Sequence, residues 1–97
     1  MTIDLPHINY KIHVKEYKSP PDSIPNALAY VKRNDMYSCT IFIKKGQRKV
    51  APDLAHELIH VMQFICLDRN IDFCTETEHM GYTMHYLLGK IMGYKWE

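Results

Sequence analysis

The spacing of the apolar residues changes once along this chain, and that change restricts the fold more than any other feature. From Ile8 to Tyr17 apolar and polar residues alternate, which is typical of a strand with one buried face. From Leu54 to Ile65 the apolar residues recur every three to four positions, which is typical of an amphipathic helix. A β-rich first half followed by a helical second half predicts an α+β domain.

Turn residues separate the predicted elements of the first half. The stretch Ser19–Asn26 contains three prolines, which exclude a helix interior or a central strand, and it is predicted to be a loop. Residues 27–32 and 36–44 are predicted to form the arms of a hairpin, because Arg33–Asp35 between them include Asn and Asp, which favour turns. Together with the strand from Ile8 to Tyr17, this hairpin predicts a small antiparallel sheet of about three strands.

Two helices are predicted in the second half. The first follows Gly46–Val50 and ends between Leu67 and Asn70. The second is capped by Thr75 or Thr77 and runs to about Tyr94. Packed against the sheet, the two helices complete the predicted α+β domain.

Composition excludes several classes of protein. The chain has 97 residues, of which 46% are hydrophobic and 24% charged, so we expect one folded domain spanning residues 1–97. A net charge of +1 without a basic block argues against a nucleic-acid or membrane-surface partner. The most apolar window, Leu58–Leu67, is too short to span a bilayer, and the N-terminus lacks the apolar stretch of a secretory signal. Three cysteines at no paired spacing favour a reducing cytoplasm.

The clearest chemical signal lies in the first predicted helix, in the string His56-Glu57-Leu58-Ile59-His60. Residues four apart share one face of a helix, so the imidazoles of His56 and His60 can both reach one metal ion. Glu57 is offset by about 100° from His56 and can contact a metal-bound water without being a ligand. For this composition about 0.02 such H-E-x-x-H strings are expected by chance. The spacing therefore predicts a Zn²⁺ site with Glu57 as general base.

A catalytic zinc site needs a third protein ligand, and the candidates lie at the start of the second predicted helix. They are Glu76, Glu78 and His79. Glu78 is the first choice, followed by Glu76 and then His79. The reason is that Glu78 shares one helix stripe with Tyr82 and His85, so an aromatic hydroxyl and a second imidazole would lie behind it.

With these residues the chain resembles a minimal zincin. Among zincins it is similar to the gluzincins, in which HExxH on one helix is joined by a glutamate ligand from the next. The similarity is strong over residues 56–60, loose over residues 76–86, and limited over residues 1–45 to the β portion that precedes the motif helix. Small metallopeptidases of the kind found in phages are also similar, because a Glu-x-x-x-Tyr pattern follows HExxH, here Glu78 to Tyr82.

The resemblance implies a peptidase. Zinc held by His56, His60 and Glu78 would lower the pKa of a bound water towards about 7. Glu57 would take the proton and later deliver it to the leaving amine. Four residues are candidate donors of a hydrogen bond to the oxyanion, and these are Tyr82, Tyr86, His79 and His85. His85 could instead hydrogen-bond Glu78.

The resemblance also indicates where a peptide or protein substrate would bind. The strand before the motif helix, Tyr37–Lys44, would form the upper rim of the cleft. Its free edge could pair with an extended peptide by strand addition. The oligomeric state stays open.

Two alternatives to a peptidase remain. One is a non-catalytic zincin-like interaction module that keeps zinc as a structural element and binds a host or partner protein, as a phage could encode. Against it, a structural zinc has no use for the general base Glu57 and usually has four protein ligands. The other is a small interaction module without any metal, which would fold correctly after chelation.

Overall fold

The computed structural model describes residues 1–18, 29–45 and 51–93, with the backbone alone for residues 51 and 52. Four strands and two helices follow one another, which confirms the predicted α+β class. A 3-10 turn, the Pro6–Ile8 turn, follows the first strand. The elements are β1 (Thr2–Leu5), β2 (Tyr10–Tyr17), β3 (Ala29–Asp35), β4 (Ser38–Lys44), α1 (Ala51–Arg69) and α2 (Thr77–Met92).

The sheet has one strand more than predicted and is mixed rather than antiparallel. Its order is β1-β2-β4-β3, with β1–β2 and β3–β4 antiparallel and β2–β4 parallel. The prediction missed β1 because four residues are too few for an alternating pattern to be recognised, although Ile3 and Leu5 are buried and their neighbours exposed. The predicted strand from Ile8 to Tyr17 and the predicted hairpin are confirmed as β2 and as β3 with β4.

The strand expected to offer a free edge, Tyr37–Lys44, is instead central. β4 pairs with β2 on one side and with β3 on the other. Its residues Cys39, Ile41 and Ile43 are all buried, whereas the second half of β3, Lys32–Asp35, is exposed. The more apolar strand therefore takes the protected position and the polar strand the edge.

Both helices pack on one face of the sheet and close a single core. The predicted helix positions are confirmed, since the apolar residues of both helices are buried in one core cluster with those of β1, β2 and β4. Neither described helix has the length and hydropathy that a membrane crossing requires. The largest fully buried side chains are Tyr10, Ile12, Ile41, Ile43, Leu58, Ile65, Met80, Leu87 and Ile91.

The ends of α2 differ in detail from the prediction. A threonine cap was expected, but Glu76 occupies the N-cap position without a capping side-chain bond. The Thr77 hydroxyl instead donates to the carbonyl oxygen of Phe73 at 2.9 Å. At the other end Gly93, with φ 78°, adopts the left-handed conformation that glycine tolerates and ends the helix after Met92. The predicted end at Tyr94 lies outside the described residues.

A polar network fixes the C-terminal end of α1 on the sheet. Asp68 accepts hydrogen bonds from the Tyr10 hydroxyl at 3.1 Å and from Arg33 Nη2 at 2.7 Å. These partners lie on β2 and β3, so one carboxylate joins α1 to two strands. The hydrogen bond from Arg33 holds the pKa of Asp68 below its ordinary value, and the bond from Tyr10 acts in the same direction.

Candidate metal centre

The H-E-x-x-H string lies in the N-terminal half of α1 and presents two faces. Leu58 is fully buried in the core, whereas Ile59 beside it is 57% exposed. Both His56 and His60 are exposed, and their ring centroids lie 5.1 Å apart at an interplanar angle of 71°. The predicted pairing of the two imidazoles is therefore present in the structure.

The geometry of this pair fits a shared zinc ion. Imidazole nitrogens bind zinc at about 2.0–2.1 Å in tetrahedral sites, which puts the centroids of two ligating rings about 5 Å apart. The observed separation of 5.1 Å between the rings of His56 and His60 agrees with that value. The separation of the two rings is therefore compatible with two imidazoles on one ion.

Glu57 lies between the two histidines in sequence but faces the protein. Its side chain is only 8% exposed. Burial raises the pKa of the Glu57 carboxyl, His56 and His60 lower it, and Asp53 raises it again. A carboxylate that is partly desolvated and close to a metal position suits a general base, because its proton affinity is greater than in water.

A small cleft gives access to Glu57. It measures about 270 Å³ and is lined by Ala29 of β3 and by Asp53, His56 and Glu57 of α1. Asp53 was not among the predicted site residues, and its place one turn before His56 on the same helix is the signal that could have indicated it. Among the described strands, β3 is paired on one side only, so the cleft opens next to a sheet edge.

The candidate third ligands lie elsewhere. Glu76 and His79 line a cleft with Arg69, at the C-terminal end of α1. His60 stands nine residues earlier than Arg69, which is about 13 Å along the helix axis. Glu78 is an exposed residue of the same first turn of α2. Within residues 1–18, 29–45 and 51–93, no three His, Cys, Asp or Glu side chains come together as a metal site.

The expected set of His56, His60 and Glu78 is therefore not assembled in this structure. The reason is the rotation of α2 about its axis. Its buried positions are Met80, Thr83, Leu87, Gly89 and Ile91, and these positions take the inward side. The stripe that begins at Glu78 points outward, because Tyr82 is 70% exposed and His85 is exposed.

The proposed oxyanion donors also lie away from the motif. Tyr82 and Tyr86 line a cleft with Asp4 of β1, whereas the motif cleft lies against Ala29 of β3. β1 and β3 are the opposite edges of the sheet, about 14 Å apart at the usual strand spacing. In this arrangement the two helices lie side by side, and the motif cleft lies next to the β3 edge of the sheet.

One association of chemical groups was not expected at all. His7 has its Nε2 atom 3.3 Å from Nε2 of His79. The two residues are 72 positions apart, so no sequence spacing could indicate the contact. A fold that places the Pro6–Ile8 turn against the start of α2 is needed to see it.

Comparison of the chain with protein-family models, with curated proteins and with solved structures finds no significant match. The resemblance to zincins therefore depends on the motif residues themselves and on the geometry of α1.

Proposed function

We propose that this protein is a zinc-dependent peptidase whose metal is held by His56 and His60 and whose general base is Glu57. The observation that carries the proposal is the geometry of the H-E-x-x-H string on α1. Its two exposed imidazoles are spaced for one zinc ion, at 5.1 Å between centroids. Its glutamate is buried at the cleft beside them.

Each residue has a defined task in this proposal. When bound, zinc polarises the scissile carbonyl and activates a water molecule. Glu57 accepts the proton of the attacking water and returns it to the leaving nitrogen. The desolvation that raises the pKa of Glu57 favours the first of these transfers, since a carboxyl group with a higher pKa takes up the proton more readily from water.

The proposed site still needs a third protein ligand. Glu78 remains the first candidate, followed by Glu76 and His79. In the described arrangement the first turn of α2 lies beside the end of α1 rather than beside His60. A ligand from this turn therefore requires the start of α2 to shift towards the motif when zinc binds.

The substrate that the proposal assigns is an extended peptide or a protein segment. β3 has an unpaired side among the described strands and begins at Ala29, which lines the motif cleft. A peptide that adds to this edge would lie beside Glu57 and be held by main-chain hydrogen bonds. The free thiols Cys39, Cys66 and Cys74 are consistent with the cytoplasm as the place of action.

The test combines metal content with hydrolysis. The untagged wild type, Glu57→Gln and His60→Ala would be compared for bound zinc and for cleavage of a mixed peptide library. We expect Glu57→Gln to keep the zinc content of the wild type and to lose more than about 100-fold in rate. His60→Ala should lose the zinc ion of the motif site together with cleavage, while His13→Ala, a histidine on β2, should keep both. A wild type that takes up no zinc, or Glu57→Gln that cleaves as fast as wild type, would reject the proposal.

A second candidate function is a zincin-like interaction module without catalysis. Two observations favour it, namely the lack of an assembled third ligand among the described residues and the exposed apolar side chains on α1. Ile59 is 57% and Leu67 is 73% exposed. For this function Glu57→Gln would change nothing, whereas Ile59→Asp and Leu67→Asp would abolish binding to a partner.

A further inference from the structure

The contact between His7 and His79 joins two parts of the chain that are distant in sequence. His7 belongs to the Pro6–Ile8 turn that follows β1, and His79 lies in the first turn of α2. Their Nε2 atoms are 3.3 Å apart, the ring centroids are 5.4 Å apart, and the ring planes are inclined by 55°. His7 is exposed and His79 is half-buried, so solvent ions can reach the pair.

The distance between the two nitrogens is the one that a shared metal ion requires. Two nitrogens bound to one tetrahedral zinc at about 2.0–2.1 Å lie about 3.3–3.4 Å from each other. An N–H···N hydrogen bond between neutral imidazoles is the other arrangement that this distance permits. Of these two arrangements, only a shared metal ion would place a cation between the two rings.

The surroundings leave room for an ion and carry charges of both signs, because Arg69 lines one of the two clefts together with carboxylates. The pair stands between two clefts, one of about 310 Å³ that Asp4 also lines and one of about 730 Å³ that Glu76 also lines. No third ligand of the described residues is close enough to complete a preformed set. The site therefore consists of two imidazoles, and water would fill the remaining positions around the ion.

The turn that carries His7 is held in place. Arg69, at the end of α1, donates from Nε to the carbonyl oxygen of Ile8 at 2.7 Å and from Nη2 to that of Asn9 at 2.9 Å. Asn9, at φ 51°, donates its N–H to the carbonyl oxygen of Pro6 at 3.2 Å and closes the turn. The imidazole of His7 thus projects from a fixed backbone, which lowers the entropic cost of binding an ion.

We propose that His7 and His79 form a second binding site for a divalent transition-metal ion such as Zn²⁺, separate from the H-E-x-x-H string. The site joins the Pro6–Ile8 turn to the start of α2. Imidazole is a suitable ligand for Zn²⁺, Ni²⁺ and Cu²⁺, and the exposed pair has open positions for water. Binding there stabilises the packing of α2 against the β1–β2 end of the sheet, since an ion that binds the folded state raises its stability.

The experiment must separate the two histidine pairs. Zinc affinity would be measured by competition with a chromophoric chelator on the full chain carrying His60→Ala, which breaks the motif pair. We expect this variant to retain one zinc-binding site. Adding His79→Ala or His7→Ala should weaken that site by at least about 10-fold, while adding His13→Ala should leave it unchanged.

The outcomes distinguish this proposal from the proposed function. If His60→Ala binds no zinc, the second site does not exist, whatever the motif does. If zinc binding of the His60→Ala protein is insensitive to His7→Ala and His79→Ala, the second site is likewise rejected. If the wild type loses zinc through His79→Ala but not through His60→Ala, the second site stands and the motif site falls. His7→Ala alters an exposed turn residue, so it repeats the test if His79→Ala fails to fold.

Discussion

The two histidine pairs of this protein are built in opposite ways. His56 and His60 are neighbours on one helix, and their separation follows from the helical repeat. His7 and His79 are 72 positions apart and meet only because the Pro6–Ile8 turn packs against α2. The first pair depends on the presence of α1, whereas the second depends on the tertiary structure.

The two pairs also show that suitable ligand spacing and a sufficient number of ligands are separate requirements of a metal site. Each pair has the spacing of two imidazoles on one metal ion, yet neither has a third ligand assembled among the described residues. What distinguishes the motif pair is Glu57, a buried carboxylate beside the metal position. The second pair has carboxylates only on the walls of neighbouring clefts. The proposed general-base chemistry therefore belongs to the first pair alone.

The largest expected effect concerns the inner face of the motif helix. Leu58 is fully buried and Ile59 is 57% exposed. Leu58→Ala should lower the free energy of unfolding by about 2–5 kcal/mol, because it leaves a cavity in the core. Ile59→Ala, the matched control one residue along, should change it by less than about 0.5 kcal/mol. Urea unfolding followed by circular dichroism measures both, and equal effects would mean that α1 presents a different face to the sheet.

The next largest effect is expected for a substitution that removes one ligand of the His56–His60 pair only. His60→Ala should weaken zinc binding at the motif by more than about 100-fold, since loss of a ligand costs more than loss of a residue behind a ligand. The His7–His79 pair should keep its affinity, because His60 does not contribute to it. Calorimetric titration with Zn²⁺ would show one of two sites lost. Loss of both together would contradict the independence of the pairs.

A smaller effect is expected for the distant pair when its support is changed. Arg69 donates to the carbonyl oxygens of Ile8 and Asn9 next to His7. Arg69→Gln should lower zinc affinity at the His7–His79 pair by about 10-fold, through the position of the turn rather than through a lost ligand. Zinc binding at the motif should not change. An equal loss at both pairs would show that Arg69 acts on overall stability instead.

The smallest effect concerns the polar network that holds α1 on the sheet. Tyr10→Phe removes the hydrogen bond to Asp68 and should cost about 1 kcal/mol. Because the pKa of Asp68 is lowered in the folded state, its stabilising contribution is fully present above the ordinary pKa of 3.8. This contribution is lost as the pH falls through the lowered pKa.

The variant Asp68→Asn tests that pH dependence. Without a carboxylate at position 68, this variant should already lack at neutral pH the part of the unfolding free energy that the wild type loses in acid. Unfolding free energies of the wild type and of Asp68→Asn should therefore converge as the pH decreases below about 4. Parallel curves at neutral and acidic pH would show that Asp68 does not titrate as the network requires.

Sequence patterns predicted what is local in this molecule. The alternation of β2, the apolar stripes of both helices and the spacing of His56 and His60 all follow from the period of one element. Strand β1 has only four residues, which is too short to show a period. β4 is central because it is more apolar than β3, and this depends on comparing the strands with one another. Neither could be deduced from one element at a time.

The orientation of α2 illustrates the same limit. Its sequence offers two stripes, one through Glu78 and Tyr82 and one through Met80 and Leu87. In the structure the apolar stripe is buried and the polar stripe is exposed. Spacing alone placed Glu78 on the same stripe as Tyr82, but only packing determines which stripe lies inward. The contact of His7 with His79 depends in the same way on how the turn and the helix meet.

Zinc-edge anomalous diffraction from crystals grown with Zn²⁺ would locate a bound ion together with all of its ligands. We expect an anomalous peak within about 2.0–2.1 Å of a ring nitrogen of His56 and of His60, with the Glu57 carboxylate adjacent but not bound. Any third ligand from α2 would be visible in the same map. Well-ordered His56 and His60 side chains with no anomalous peak between them would contradict the account.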